Sequence, residues 1–454
     1  MAAASQDTQR LNQKFQSAAA QYDAGHLPEA AEQLENLLHD APESFEVHEL
    51  LGLVYAGESR DALANQHLDK AVRLKPDSAA ARTNLATSLL RLGKLGSAQE
   101  QLKKAVALDP QNFDANHNLG EVYVRMGKLP DAVPFLKAAQ QVNPSSYDNG
   151  YDLALAYLYT GHPAPSRQLV QSLLQGKDTA ELHNLLGQIE EKDGNFVAAV
   201  KEFEAAAHQD PSESNLFDWG SELLLHQTLE PAIEVFQRAT VRYPNSPQLA
   251  IGLGIAFYSR GIYDEAVKSL LRAADLSPSD PRCYLFLSKA YNSSPGQADE
   301  VIQRFRRFSE LQPNDAQASY YYAMSLWKGR RAQDPGLDRH QVESLLTKAV
   351  RLDPKFADAH LQLGNLYSDQ AHYAEAIPEY LKALEDNSDI ADAHYRLGQA
   401  YVHTGEKDKA QAQFQVYQQL RAKHLADLDK QRAEIRQFVY SEKDGTSAKP
   451  DLRQ

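Results

Sequence analysis

Residues 84–91 and 118–125 repeat one polar pattern at a spacing of 34. Asn84 and Asn118 are each followed seven residues later by an arginine, Arg91 and Arg125. Seven residues make two helical turns, so each Asn shares a helix face with its Arg. Successive Asn amides offer both a donor and an acceptor to an extended peptide backbone. A guanidinium can hold a carboxylate through two parallel N–H groups. This is recognition chemistry, and no catalytic motif accompanies it. His48-Glu49-Leu50-Leu51-Gly52 begins like a zinc-protease helix but lacks the second histidine. Gly52, Gly57, Glu58 and Ser59 have the glycine spacing of a phosphate loop without its lysine. No G-x-S-x-G elbow occurs. The fifteen histidines are scattered without ligand spacing, and Cys283 is the single cysteine. The expectation is therefore a non-enzyme with no catalytic residue, cofactor or metal site.

The composition agrees. Of 454 residues, 43% are hydrophobic and 24% charged, the range of a folded soluble chain. The net charge of −14 argues against a nucleic-acid partner, whose phosphates need a basic footprint. No apolar run is long enough to span a bilayer, and MAAASQDTQR lacks an apolar signal core. The sequence names no compartment: it reads as a soluble chain, cytoplasmic or, for a chain whose leader was removed before Met1, periplasmic or otherwise extracytoplasmic.

The elements that must position these residues come in a period of 34. Pro42, Pro76, Pro110 and Pro144 open a series that resumes at Pro211, Pro244, Pro278, Pro313 and Pro354. Each follows an apolar helical stretch and closes it, since proline lacks the amide donor. Small residues recur 24 positions before these points, as in Gly52, Ala86, Gly120, Ala154, Gly187, Gly254, Ala323, Gly364 and Gly398. Alanines such as Ala64, Ala98, Ala132, Ala199 and Ala266 recur twelve positions after those. Small residues at fixed points mean two helices crossing closely. Gly93, Gly127, Gly161, Gly194, Gly261 and Gly405 fall between the helices, where glycine permits a left-handed cap.

"DAHLQLGNLYSDQAHYAEAIPEYLKAL" (358–384) and "DANHNLGEVYVRMGKLPDAVPFLKAA" (114–139) each carry a Leu-Gly pair, a Tyr, an Ala and a terminal Ala at matching places. In them the chain resembles the tetratricopeptide repeat family, over residues 11–424. About twelve units start near 11, 45, 79, 113, 147, 180, 213, 247, 281, 316, 357 and 391. Residues 1–10 read as a tail, and 408–440 as a long capping helix that overlaps the last unit. Residues 441–454 read as a polar, disordered tail. The ninth unit carries an insertion near SSPGQ and Phe308 in place of alanine, and the tenth an insertion around KGRRAQDPGLDRHQ.

The resemblance implies an all-α, right-handed superhelical solenoid of antiparallel helix pairs, with the first helix of each pair lining a concave groove. At the family's groove positions stand Asn84, Arg91, Asn118, Arg125, Tyr151, Tyr159, Phe217, Tyr258, Phe286, Tyr320, Tyr321, Trp327 and Tyr395. Asn84 and Asn118 look like a short asparagine ladder, which Asp152 interrupts in the next unit. In "SYYYAMSLW" (319–327), Tyr322 falls on the packing seam, while Tyr320, Tyr321 and Trp327 fall on the groove face. The implied function is a non-catalytic scaffold binding an extended or helical segment of a partner protein. The alternative is an assembly or regulatory subunit of a larger enzyme or cell-envelope complex, acting through its convex face or its ends. Self-association is a further possible use of those ends.

Overall fold

The computed structural model describes residues 2–293, 297–328 and 338–425. Among them every regular element is a helix. The two insertions near 294–296 and 329–337, the part of the 408–440 helix beyond 425, and the 441–454 tail lie largely or wholly outside the described residues.

The chain divides into two compact units, Met1–Glu222 and Leu223–Gln454. The first holds α1 (Ala2–Asp23), α2 (Leu27–Asp40), α3 (Phe45–Gly57), α4 (Asp61–Leu74), α5 (Ala79–Arg91) and α6 (Leu95–Leu108). It continues with α7 (Phe113–Arg125), α8 (Leu129–Val142), α9 (Tyr147–Tyr159), α10 (Pro163–Gly176), α11 (Ala180–Lys192) and α12 (Phe196–Gln209). The point of division falls within α13 (Glu213–Leu225). The second unit holds α14 (Leu229–Arg242), α15 (Pro247–Arg260), α16 (Tyr263–Leu276), α17 (Pro281–Ser293), α18 (Ala298–Leu311) and α19 (Ala316–Lys328). It continues with α20 (Arg339–Leu352), α21 (Ala357–Asp369), α22 (Tyr373–Asp386), α23 (Ala391–His403) and α24 over 407–425.

Local chemistry sets these boundaries. Many odd-numbered helices begin at side-chain caps: Ser44, Ser78, Asn112, Ser146, Thr179 and Ser246 each accept from the backbone N–H three residues on. They end in a left-handed residue that reverses the chain, as at Gly93 (φ 71°) and Gly261 (φ 84°). Ser59, Gln227 and Ala371 adopt the same conformation in their turns without being glycine. A turn of a few residues makes the next helix antiparallel to the last.

Packing within a pair depends on the small residues. A Cβ placed on Gly254 would come within 2.5 Å of Leu270 Cγ, and one on Gly187 within 2.9 Å of the Phe203 ring. The alanines that face them from the second helices, such as Ala64, Ala98 and Ala132, are fully buried. Ser166 replaces one of these alanines and donates its hydroxyl to the Ala154 carbonyl at 2.6 Å, so burying it leaves no unmet donor. Phe308 also takes an alanine position. Its ring stacks on Tyr284 at 4.0 Å, and the Tyr284 hydroxyl donates to the Pro278 carbonyl at 2.9 Å.

Candidate functional site

First helices touch first helices. In the first unit α1 packs on α3, α3 on α5, α5 on α7, α7 on α9 and α9 on α11. In the second, α15 packs on α17, α17 on α19 and α21 on α23. Their outward-facing side chains thus join into one surface in the first unit, and into two runs, α15–α19 and α21–α23, in the second.

In the first unit this surface carries both Asn–Arg pairs. Asn84 is half-buried and donates to Glu49 Oε1 at 3.3 Å, reaching back one unit to α3. Asn118 does the same toward α5, donating to Thr87 Oγ1 at 3.1 Å. Each amide nitrogen therefore braces adjacent first helices, and each amide oxygen is left without a protein donor among the described residues. The arginines are less free than their spacing implies. Arg91 Nε lies 2.8 Å from Asp61 Oδ1, and its guanidinium donates to the Ala56 carbonyl at 2.6 Å, closing the end of α3. Arg125 pairs with Glu121 one turn back on its own helix.

Carboxylates that the Asn–Arg spacing does not reveal stand on the same surface. Burial raises Glu49, against the hydrogen bond from Asn84. Burial pushes Asp152 up to about 6, with His117 pulling the other way and Glu121 and Asp148 adding to the rise. Burial likewise raises Asp218, which accepts from Asn184 Nδ2 at 2.7 Å. None of the three has an ion pair among the described residues. Their signal in the sequence is an acid on an inward face of a first helix, legible only once that face is known.

The aromatics divide between packing and exposure. Tyr151 is half-buried and stacks on Tyr147 at 6.4 Å. Tyr159 is 53% exposed, donates to Gln188 Oε1 at 3.0 Å and lies 4.7 Å beneath Lys192 Nζ. Phe217 is half-buried on α13. In the second unit Tyr258 meets Phe286 edge-on at 6.5 Å, with Lys289 above the Phe286 ring. Trp327 is half-buried and, with Gln362, Asn365, Asp369 and Arg396, lines a cleft of about 200 Å³. Tyr395 is 38% exposed and leans on Phe414 and Tyr417 of α24.

Tyr321 departs from the expected outward orientation. It is only 7% exposed, as is Tyr322, and its ring lies 5.8 Å from Phe305 of α18. Phe305 and Phe308 make the preceding second helix bulky, and Tyr321 closes against it. Tyr320 is half-buried and packs 5.0 Å from Phe356.

A further register escapes a search for ligand spacing among the histidines. The fourth residue of several first helices sits beneath the preceding turn and donates to its carbonyl: Arg82 to Pro76 at 2.9 Å and Asn116 to Pro110 at 3.0 Å. His48, His360 and His394 hold the same place against the carbonyls of Pro42, Pro354 and Ser388. No described group of three or more His, Cys, Asp or Glu is placed to enclose a metal ion. No described helix is long and apolar enough to cross a membrane.

Comparison with known proteins follows the same lines. A family model described as "Tetratricopeptide repeat" matches residues 15–79, 151–214, 217–281 and 361–424. Two others, "TPR repeat" and "Tetratricopeptide repeat", match 88–127 and 113–146. Anaphase-promoting complex subunit 3 of Schizosaccharomyces pombe is 23% identical over 251 residues, 55% of this chain and 34% of that protein. The TPR repeat-containing protein YpiA of Bacillus subtilis is 22% identical over 256 residues, 54% of this chain and 58% of that one. Human protein O-mannosyl-transferase TMTC3 is 23% identical over 204 residues, 43% of this chain and 21% of that one. The chain thus spans under two thirds of the length of each of these relatives. A solved structure of the APC/C hetero-tetramer Cut9-Hcn1 aligns at a TM-score of 0.37 and 15% identity, covering 89% of this chain and 92% of that one. The first of these models alone accounts for more than half of the residues, and they fold into the helix–turn–helix pairs with small-residue seams described above, so the chain belongs to the tetratricopeptide repeat family.

Proposed function

We propose that this chain is a non-catalytic interaction scaffold, holding a segment of another protein against the surfaces built by its first helices. The observation that carries the reading is the side-by-side packing of those helices, which turns isolated helix faces into continuous surfaces over α1–α11 in the first unit and over α15–α19 and α21–α23 in the second. The division into about twelve units, with that surface as the groove, is part of the proposal. That one relative is named as a subunit of the anaphase-promoting complex supports a place in a multi-protein assembly.

In the first unit the free amide oxygens of Asn84 and Asn118 would accept from the backbone of an extended segment. Glu49, Asp152 and Asp218 select its charge. Each is a partly desolvated carboxylate with no ion pair among the described residues, and a lysine or arginine side chain would supply a close partner. Arg91 and Arg125, held by Asp61 and Glu121, act as braces and not as readers of acidic groups. The favoured segment is therefore basic. In the second unit Tyr258, Phe286, Trp327 and Tyr395 supply apolar anchoring, since aromatic rings bury much area for little lost side-chain entropy.

Two labelled peptides of equal length test this reading by fluorescence anisotropy, one rich in Lys and Arg, the other in Asp and Glu. The wild-type chain should bind the basic peptide, more weakly as salt rises. A Glu49→Gln, Asp152→Asn, Asp218→Asn variant should lose at least about tenfold in affinity, or about 1.4 kcal/mol. Preference for the acidic peptide, or equal binding by the variant, would remove the charge assignment.

A further inference from the structure

The fourth-residue register has a second half. The same side chain also faces the residue nineteen positions on, in the second helix. His183 Nδ1 lies 2.6 Å from Glu202 Oε2, His360 Nδ1 lies 2.5 Å from Glu379 Oε2, and His394 Nδ1 lies 2.6 Å from Gln413 Oε1. In those units the ring meets an oxygen that accepts its N–H. In the α3–α4 unit the partner is a second histidine, and His48 Nδ1 lies 3.0 Å from His67 Nδ1.

Two facing imidazole nitrogens can share one hydrogen, or one metal ion. The far side of His48 decides what it offers. Its Nε2 lies 3.0 Å from the Pro42 carbonyl oxygen, which only accepts, so Nε2 carries a hydrogen. The neutral ring then presents a lone pair at Nδ1. A backbone carbonyl on the outer ring nitrogen is also the contact that fixes the tautomer and direction of metal-bound histidines. His67 is half-buried, and its Nε2 has no partner among the described residues. It is free to hold a hydrogen there and turn its own Nδ1 lone pair inward. Two nitrogens bonded to one ion at about 2.0–2.1 Å sit about 3 Å apart.

We propose that His48 and His67 form a two-imidazole site for a first-row divalent metal ion, with Cu²⁺ bound most tightly among them. The two rings come from different helices, α3 and α4, so the ion would tie the pair together. No third His, Cys, Asp or Glu closes around them among the described residues, so water completes the coordination. The affinity is accordingly modest.

The test uses the full chain with Cu²⁺ alone, in a non-coordinating buffer at neutral pH, followed by calorimetry and electron paramagnetic resonance. The comparison variant is His67→Gln. It places in this unit the His–Gln pair that α23 and α24 already use at His394 and Gln413, and so preserves the hydrogen bond. Wild type should bind one Cu²⁺ with coupling to two imidazole nitrogens. His67→Gln should weaken that binding at least about tenfold, leaving the metal-free melting temperature close to wild type. Equal affinity in the two proteins would overturn the proposal. So would a wild-type spectrum showing a single imidazole nitrogen, a result that does not depend on the variant folding.

Discussion

Asp152 shows how a single residue can matter to both stability and recognition. Its folded pKa of about 6 lies above the ordinary aspartate value of 3.8, and the largest cause is burial. The native state therefore holds the Asp152 proton more tightly than the unfolded chain does. This contribution to stability is fully present below about 3.8 and is lost as pH rises through about 6. At neutral pH the ionised side chain costs stability. Asp152→Asn should thus raise stability by about 1–2 kcal/mol at neutral pH, with the gain vanishing near pH 4. Urea unfolding at several pH values measures it, and a gain that does not change with pH would contradict the burial argument. Glycines divide by the space around them in the same way. Gly254 faces the fully buried Leu270, so Gly254→Val should cost about 2–3 kcal/mol through overpacking. Gly96 on α6 has open space where its Cβ would stand, and Gly96→Ala should gain up to about 0.5 kcal/mol. Thermal unfolding of the two variants should move in opposite directions.

At the scale of the element, the turns between paired helices demand one left-handed residue each. Seven described turns use glycine, and Ala371 meets the same demand at φ 60° with a Cβ in the way. That conformation costs an L-residue roughly 1–2 kcal/mol. Ala371→Gly removes the strain while adding some flexibility to the unfolded chain. The net expected gain is about 0.5–1 kcal/mol, read from the denaturation midpoint, and a loss would mean that the alanine methyl packs usefully. The turn between α21 and α22 has no glycine to mark it, and Leu363-Gly364 and Ala376 locate that pair instead. The turns at Gly93, Gly127 and Gly161 are marked by their glycines.

For the whole molecule, each helix pair leans mainly on its sequence neighbours, so perturbations should stay local. Leu102 on α6 is fully buried in a cluster that runs from Leu68 to Ala156. Leu102→Ala should cost about 2–5 kcal/mol. Amide exchange should quicken in α5–α8 and stay unchanged in α21–α23, which belong to the other compact unit. Uniform acceleration along the chain would show a cooperativity that a stack of neighbour contacts does not supply.

The amino-acid sequence by itself determined the all-α stack. A small residue at two fixed points of most 34-residue periods points to closely crossed helix pairs, and a proline after most pairs ends them. It also placed Asn84, Asn118, Tyr159 and Tyr395 on first helices. The tertiary structure decided what those side chains meet. Tyr321 turned inward because Phe305, sixteen residues earlier, brought an aromatic ring to the seam between α18 and α19. Arg91 and Arg125 found Asp61 and Glu121. The half-buried state of Asp152 came from the helices around it. A period records which face a residue occupies. The volume and charge opposite that face belong to other elements, and only their packing brings them together.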